Sequence, residues 1–250
     1  MKKIKETPVY IFESNERTKY FAKFCFEKLG YQNITLISEG TTFKEKYLIF
    51  AEKALSSKKN YFIRSDADCL VFEGINNLLE TAVHEQYDWL TGVYFDYIMN
   101  RHRGGTPQIL SKNVLEALMK DSKLMPDSNK PETHFSIAIK DRVKMGDVKT
   151  FTNLHEFEQY PSKVCNSFLN RLKRGHHYLY DNQHLNNLPT DYREAIVTGF
   201  NSIDKQKEKN NMNYENFFFL DKNFSKIKES NFNNLYLKYK NLYDNLKRNY

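Results

Sequence analysis

The amino-acid sequence predicts an α/β sandwich with a mainly parallel central sheet and a helical C-terminal extension. The first half of the chain alternates short apolar segments with amphipathic ones, in the order strand, helix, strand, helix, strand. From residue 162 onward, apolar residues recur mostly at helical spacing. We therefore expect residues 1–160 to form the sheet domain and residues 161–250 to complete that domain or to dock it elsewhere.

Local signals place the first elements. Pro8 is tolerated as the first residue of the first strand. Gly30 follows the predicted helix 16–29, and glycine commonly ends a helix. The predicted strands of this part are 8–12, 34–37 and the segment 61–72, and the predicted helices are 16–29, 43–55 and 75–83. Parallel strands in this order bind ligands at their carboxyl ends.

The elements that follow are less regular. A strand-like aromatic segment is followed by a basic, glycine-containing turn and then a short strand, and Ser111 is placed to cap the next helix. The predicted order is strand 88–98, turn 101–107, strand 109–110, helix 112–119, polar loop 121–131, helical turn 133–139 and strand 148–154. Residues 204–213 are rich in Asn and Lys and predict a solvated linker.

Composition narrows the class of protein. The net charge is +7, which suits a phosphate-rich partner, although richness in Lys and Asn alone also raises the isoelectric point. The cysteines Cys25, Cys69 and Cys165 are too few and too scattered for a disulfide framework or a zinc site, so a reduced, cytoplasmic protein is expected. The apolar run 9–12 is too short for a cleaved leader or a membrane span.

Two acidic residues interrupt the most apolar strand of the sequence. Asp66 and Asp68 lie in the segment 61–72 with β-prone residues on both sides. Unpaired carboxylates in a buried strand are costly, so a cation is expected beside them. Residues i and i+2 of a strand face the same side, and a bend there aims both carboxylates at one point. Hard oxygen ligands of this kind suit Mn²⁺ or Mg²⁺, with a substrate diphosphate supplying further ligands.

Three segments together resemble a known family. Residues 104–111, Gly-Gly-Thr-Pro-Gln-Ile-Leu-Ser, are similar to the Gly-Gly-x-Gly-x-x-Leu-Ser segment of the fringe-like and core-1-like β-1,3-glycosyltransferases. Residues 131–134, Pro-Glu-Thr-His, stand where that group carries Pro-Asp-Asp or Glu-Asp-x. The segment 61–72 looks like its aromatic-led Asp-Asp-Asp strand with Ala in the middle. The resemblance covers residues 8–155, and Pro107, the single acid at 132 and the short gap between motifs depart from it.

This resemblance implies a GT-A-like, Rossmann-type fold and a metal-dependent transfer from a nucleotide-sugar donor. A UDP-sugar is the expected donor and a glycan or lipid-linked molecule the expected acceptor, in bacterial surface polysaccharide synthesis. By this resemblance, Asp68 contacts Mn²⁺ or Mg²⁺ directly, and Asp66 contacts it through water or holds the donor ribose or sugar. GT-A enzymes often carry a His ligand on a later strand, and His155 fits by position.

An inverting transfer, which the resemblance favours, also needs a base for the acceptor hydroxyl. Glu132 fits by motif position, and His134 is the second candidate because imidazole titrates near neutrality. Glu132 could also simply favour a helix N-terminus.

The donor is expected at the strand ends. The expected donor-binding residues are Glu13, Ser14, Glu39, Arg64, Asp66, Arg101, Arg103, Gly104 and Gly105. Residues 176–177 are adjacent histidines that would face different directions on one helix, so surface positions or phosphate contacts beside Arg171, Lys173 and Arg174 are expected.

Two other functions compete with this interpretation. A sugar nucleotidyltransferase uses a similar sheet, but usually with a glycine-rich loop after the first strand, where this chain has Glu-Ser-Asn-Glu-Arg at 13–17. A nonenzymatic basic module would bind nucleic acid or a membrane through charges clustered with exposed aromatics. Most aromatics here lie in apolar strands and helix faces, so no specific nucleic-acid partner is expected.

The last predicted helix, within 231–250, carries an apolar stripe bordered by basic residues. The stripe consists of Phe232, Leu235, Tyr239, Leu242 and Leu246, and the basic residues are Lys238, Lys240, Lys247 and Arg248. Such a helix can lie on an anionic bilayer at the inner face of the membrane, pair with a second copy, or pack against its own domain.

Overall fold

The computed structural model describes residues 5–128, 131–173, 175–176, 182–203, 214–248 and 250. The described strands are β1 (Val9–Phe12), β2 (Ile34–Ile37), β3 (Tyr61–Asp66), β4 (Cys69–Val71), β5 (Trp89–Asp96), β6 (Arg101–Ser111) and β7 (Met145–His155). The described α-helices are α1 (Lys19–Lys28), α2 (Phe43–Leu55), α3 (Gly74–His84), α4 (Lys112–Lys120), α5 (Pro131–Ile139), α6 (Pro161–Lys173), α7 (Asn182–Asn187), α8 (Thr190–Ile203) and α9 (Phe232–Arg248). Short 3₁₀ segments cover Ser122–Leu124, Tyr214–Asn223 and Glu229–Asn231.

The seven strands form one sheet in the order β2-β1-β3-β6-β5-β7-β4. β1, β2, β3, β5 and β7 run in one direction, whereas β6 and β4 are antiparallel to their neighbours. Apolar side chains of the sheet and its helices form separate clusters on its two faces. The predicted fold class, a GT-A-like α/β sandwich with a mainly parallel sheet and a helical C-terminal extension, is confirmed.

The sequence around helix α2 contains local signals that specify where the helix begins and which face is buried. The helix begins with a capping box in which the Thr42 side chain accepts from the Glu45 amide and Glu45 bonds back to the Thr42 amide. Tyr47, Phe50 and Ala51 recur at helical spacing on its buried face. Because both the start signal and the apolar period are local, the predicted bounds of this helix match the observed ones.

The segment 61–72 is two strands and not one. β3 ends at Asp66, and residues 67–68 form a turn. β4 then leaves in another direction and pairs with β7 as the outermost strand of the sheet. The turn takes Asp68 out of the strand ladder, whereas Asp66 is still paired with Phe12 of β1. The division therefore moves the acidic pair from the middle of a strand to the carboxyl end of β3.

The predicted turn at 101–107 is a strand in the structure. β6 pairs with β5 along its length, with an irregularity between Thr91 and Gly92 that leaves Thr106 and Pro107 outside the regular register. A proline is tolerated there because no ladder hydrogen bond is required of it. Ser111 does precede α4, but its hydroxyl bonds to Asp88 Oδ1 at 2.6 Å and does not cap the helix.

The apolar stripe of α9 packs inside the domain. The ring of Tyr243 stacks on Phe72 and Phe151 at centroid distances of 4.6 and 4.7 Å, and Phe232 and Tyr239 are also buried. Leu235, Leu242 and Leu246 join the same cluster. Of the three surroundings expected for this stripe, a bilayer, a second copy and its own domain, the structure shows the last. The predicted linker at 204–213 lies outside the described residues.

Among the described helices, none is both long enough and apolar enough to cross a bilayer.

Candidate functional site

The carboxyl ends of several parallel strands meet at one edge of the sheet. The register places Phe12 beside Asp66, and Asp96 beside both His155 and Arg101. β4 begins at the same edge, since Cys69 is paired with His155. The topology thus collects acidic residues and one histidine from three distant segments at the edge where α/β sheets bind ligands.

Asp68 and His155 form the most suitable pair for a cation. Asp68 Oδ1 lies 3.4 Å from His155 Nε2, and Cys69 contributes a third atom to a group spanning less than 4.8 Å. Two ligands at right angles on one divalent ion, each at about 2.1 Å, lie about 3 Å apart. Burial raises the pKa of the Cys69 thiol well above its usual value, and sulfur is a softer ligand than Mn²⁺ or Mg²⁺ prefers. The oxygen and nitrogen donors therefore fit Mn²⁺ or Mg²⁺.

Both members of the pair hold protons more tightly than usual. Burial raises the pKa of Asp68 to about 7, with the neighbouring Asp66 and Glu156 adding to the rise and His155 opposing it. Burial would lower the pKa of His155, but the carboxylates of Asp68, Glu156 and Asp96 outweigh it and raise that pKa. A divalent cation bound here would replace these protons as the compensating positive charge.

Asp66 has a different partner from Asp68. It accepts two hydrogen bonds from Arg64, at 2.6 and 3.1 Å, and the same guanidinium lies 3.2 Å from Glu132. The Arg64 side chain is 1% exposed and lies over the rings of Phe12 and Tyr47. The two aspartates therefore face neighbouring but separate positions, one holding an arginine and the other a histidine.

Glu132 and His134 occupy different surfaces of α5. Glu132 lines the cleft beside this site and accepts a hydrogen bond from the Tyr47 hydroxyl. His134 is exposed and is not among the residues that line that cleft. Of the two predicted bases, Glu132 alone faces the cleft.

A cleft of about 1170 Å³ extends from this edge along the sheet. Asp66 and His155 line it where β3 and β7 end, and Met145 and Asp147 line it where β7 begins. It is larger than the roughly 300–1,000 Å³ of a single small-molecule pocket. Further lining residues are Phe43, Arg64, Trp89, Thr91, Gly92, Tyr94, Arg103, Gly104, Gly105, Gln108, Thr133, Ser136 and Lys149.

Some of the predicted donor-binding residues share this cleft and others do not. Arg64, Asp66, Arg103, Gly104 and Gly105 line it.

The predicted residues outside the cleft have other surroundings. Glu13 and Ser14 follow β1, where Lys46 bonds to the Glu13 carbonyl and to Ser14 Oγ. Glu39 is exposed and pairs with Lys53 at 2.7 Å. Arg101 is exposed at the start of β6 and does not line the cleft.

A buried ion-pair network behind His155 was not predicted. Arg171 on α6 lies 2.9 Å from Asp96 and 2.5 Å from Glu156. Asp96 ends an apolar, aromatic strand as Asp66 does, which is a signal the sequence carried. Glu156 had no such signal. The expected role of Arg171 as a surface phosphate contact is corrected by its burial, and residues 174 and 177 of that expected cluster lie outside the described residues.

No protein-family model and no curated protein matches the chain. Solved structures of similar fold include one from STIV, 12% identical over 58% of this chain and 82% of its own, with a TM-score of 0.47. A glycosyltransferase involved in the glycosylation of the major capsid of PBCV-1 is 11% identical over 60% of this chain and 93% of its own, with a TM-score of 0.42. A cytidylyltransferase from Leptospira borgpetersenii serovar Hardjo-bovis is 13% identical over 81% of this chain and 98% of its own, with a TM-score of 0.39. All three TM-scores are below 0.5, so these similarities assign no activity to this chain.

Proposed function

We propose that this protein is a metal-dependent glycosyltransferase that moves a sugar from a nucleotide-sugar donor to a glycan or lipid-linked acceptor. A UDP-sugar is the first candidate for the donor. One observation carries the proposal. Asp68 and His155 lie 3.4 Å apart at the ligand-binding edge of a mainly parallel sheet, beside a large cleft. Bacterial surface polysaccharide synthesis is the setting that such acceptors suggest.

Asp68 and His155 are the proposed ligands of Mn²⁺ or Mg²⁺, and imidazole favours Mn²⁺. When bound, the ion neutralises the negative charge that develops on the departing nucleoside diphosphate. Asp66, held by Arg64, is the proposed contact for donor hydroxyl groups. The nucleobase and ribose of the donor would lie toward β1 and β2, near Glu13 and Ser14.

Glu132 is the proposed general base. Its carboxylate lies 3.2 Å from the Arg64 guanidinium, lines the cleft and is the group that would accept the proton. In the transfer, the acceptor hydroxyl oxygen bonds to the anomeric carbon while the bond from that carbon to the diphosphate oxygen breaks. The hydroxyl proton goes to Glu132, and attack from the face opposite the leaving group inverts the anomeric configuration.

The cleft along β5, β6 and β7 is the proposed acceptor site, and this proposal assigns Arg103, Gly104 and Gly105, expected from the sequence to bind the donor, to the acceptor instead. It lies on the side of Asp66 and Asp68 that faces away from β1 and β2. Donor and acceptor would therefore approach the metal from opposite sides. Thr91, Ser136 and Asp147 supply hydroxyl and carboxylate groups along it, and Trp89 supplies an aromatic surface. Such a lining suits the hydroxyl groups and apolar faces of sugars.

A sugar nucleotidyltransferase is the second candidate, and the lysines around the loop after β1 favour it. Lys46 and Lys163 bond to this loop, where an enzyme of that kind would hold a triphosphate. However, the loop also carries Glu13 and Glu16 and contains no glycine, so its carboxylates would repel a triphosphate. Release of pyrophosphate from a nucleoside triphosphate and a sugar phosphate would identify this activity.

A thermal-shift screen of nucleoside diphosphates and nucleotide sugars, with and without Mn²⁺, tests the proposal. We expect stabilisation by UDP or a UDP-sugar only when Mn²⁺ is present, and its loss in Asp68→Ala. Asp141→Ala is the matched control because Asp141 is an exposed carboxylate away from the cleft. Equal stabilisation of Asp68→Ala, or full activity in excess EDTA, contradicts the metal site. Salt-dependent binding of random oligonucleotides without any nucleotide response would favour a nonenzymatic module.

A further inference from the structure

The side of His155 that faces away from Asp68 is buried against two carboxylates. His155 Nδ1 lies 3.8 Å from Glu156 Oε2 and 3.9 Å from Asp96 Oδ2. Within the described part of the chain, this nitrogen is buried and has no hydrogen-bond partner. A histidine that binds a metal through Nε2 carries its proton on Nδ1, and that proton needs an acceptor. The two carboxylates are the acceptors within reach of a small movement of the ring.

Arg171 holds these two carboxylates in place. Its guanidinium bonds to Asp96 at 2.9 Å and to both oxygens of Glu156 at 2.5 and 3.1 Å. Asp96 is fully buried and Glu156 nearly so, and two buried carboxylates this close need a shared cation. Because Arg171 lies on α6, a helix outside the sheet fixes groups that face the proposed metal ligand.

The backbone at Glu156 also joins the two proposed ligands. Glu156 has a φ of 64°, a left-handed conformation that is uncommon for a residue other than glycine. Its amide donates to the Asp68 carbonyl at 3.0 Å, and the Tyr192 hydroxyl donates to its carbonyl at 2.6 Å. Glu156 thus contacts Asp68 through its backbone and faces His155 through its side chain.

We propose that Arg171, Asp96 and Glu156 are positioning residues that keep the His155 proton on Nδ1 and its Nε2 free to bind a divalent cation. The inference rests on the proposed function in that it takes Mn²⁺ as the ion. None of the three touches the ion itself. They orient the ring and fix its tautomer, as second-sphere carboxylates do for other metal-binding histidines.

The test is a titration of the full-length protein with Mn²⁺, in which electron paramagnetic resonance measures the concentration of free Mn²⁺ and so gives the affinity. We expect Glu156→Gln and Asp96→Asn each to weaken Mn²⁺ binding by about 10- to 100-fold. Glu158→Gln is the matched control. Glu158 is two residues away, has a similar φ of 55° and is also paired, with Arg17, but its carboxylate does not face His155. Its substitution should leave the affinity within about threefold of wild type.

A second measurement keeps the inference testable if a variant folds poorly. Nitrogen-15 spectra of the His155 ring in the metal-free wild type, recorded at a pH high enough for the ring to be neutral, should show the proton on Nδ1. Arg171→Gln should shift the neutral ring toward a mixture of tautomers. Wild-type Mn²⁺ affinity in Glu156→Gln and Asp96→Asn, or a neutral wild-type ring with its proton on Nε2, overturns the positioning role. Absence of Mn²⁺ binding by the wild type overturns the proposed function instead, and the ring spectra then still decide whether these groups set the tautomer.

Discussion

Arg64 donates two hydrogen bonds to Asp66, the nearer at 2.6 Å, so the first acid of the Asp-x-Asp pair already has a cation of its own. The second acid, Asp68, faces a histidine and not an arginine. This difference separates the two roles that an acidic pair can serve in such a site. It supports a metal contact for Asp68 and a contact with donor hydroxyl groups for Asp66.

Removing Arg64 should destabilise the protein. Arg64→Met leaves Asp66 and Glu132 without their shared cation, and breaking a buried ion pair in this way costs about 3–5 kcal/mol. Because both carboxylates are partly exposed, water offsets part of the loss and we expect about 2–3 kcal/mol in urea unfolding. Lys53→Met is the control, since its pair with Glu39 is exposed and its loss should be nearly neutral. A neutral Arg64→Met would show that the cluster contributes little.

Glu132→Gln should lower kcat by about 10² or more while donor binding hardly changes, because a general base acts on the acceptor. The measurement is steady-state transfer together with Mn²⁺-dependent donor stabilisation. His134→Ala should keep near-normal turnover, since its side chain is exposed and away from the cleft lining. The reverse pattern would exchange the two roles, and no effect from either would point to another carboxylate or to a retaining mechanism.

Filling the cleft at Gly104 should block the acceptor and spare the donor. A Cβ at this position would approach the Gly92 carbonyl oxygen no closer than 4.0 Å, so a side chain has room to extend into open space. We expect Gly104→Leu to lower kcat/KM for the acceptor by about tenfold or more, whereas Gly104→Ala stays near wild type.

Trp89, the single tryptophan of the chain, lines the same cleft, so we expect its fluorescence to change when an acceptor binds there and to stay unchanged in Gly104→Leu. Unimpaired acceptor use by Gly104→Leu would argue against the cleft as the acceptor site.

Glu158 should stabilise the protein in a pH-dependent way. Burial alone would raise its pKa, but the hydrogen bond from Tyr239 and the charges of Lys238 and Arg17 outweigh it and lower that pKa. The stabilisation is therefore present above the unfolded value of about 4.3 and is lost as pH falls through the lower folded value. We expect Glu158→Gln to cost about 1–2 kcal/mol at pH 7 and little near pH 2. A difference that is constant with pH would assign the effect to packing alone.

The stripe on α9 should behave as core. Tyr243 is fully buried and donates to the Phe151 carbonyl at 2.6 Å, so Tyr243→Ala should lower the free energy of unfolding by about 3–5 kcal/mol. Leu237→Ala on the same helix is the control, because Leu237 is 62% exposed and its loss should fall within about 0.5 kcal/mol. Truncation before residue 231 should likewise yield an aggregating or early-melting protein. A stable, monomeric truncated protein that no longer binds anionic liposomes would instead restore the docking hypothesis.

The sequence by itself determined the features that local chemistry specifies. The capping residues and apolar period of α2 lie within the helix, so its bounds could be predicted without any partner. The order of strands and helices up to β3 followed from the same kind of pattern. Asp66 and Asp68 could be singled out too, because carboxylates inside an apolar segment are conspicuous whatever surrounds them. Their place at a strand end and in the turn after it could not be predicted in this way.

Only the tertiary structure decided which residues face each other across the sheet. The turn after Asp66 sends β4 to pair with β7, and this long-range pairing brings Asp68 to His155. The buried pairing of Arg171 with Asp96 and Glu156, and the packing of α9 on Phe72 and Phe151, likewise join segments far apart in the chain. A side chain occupies the same place in the local sequence pattern whether it faces solvent or a distant element. Its burial and its partner depend on the order of the strands and on where the helices dock. The periodicity of the sequence encodes neither of these.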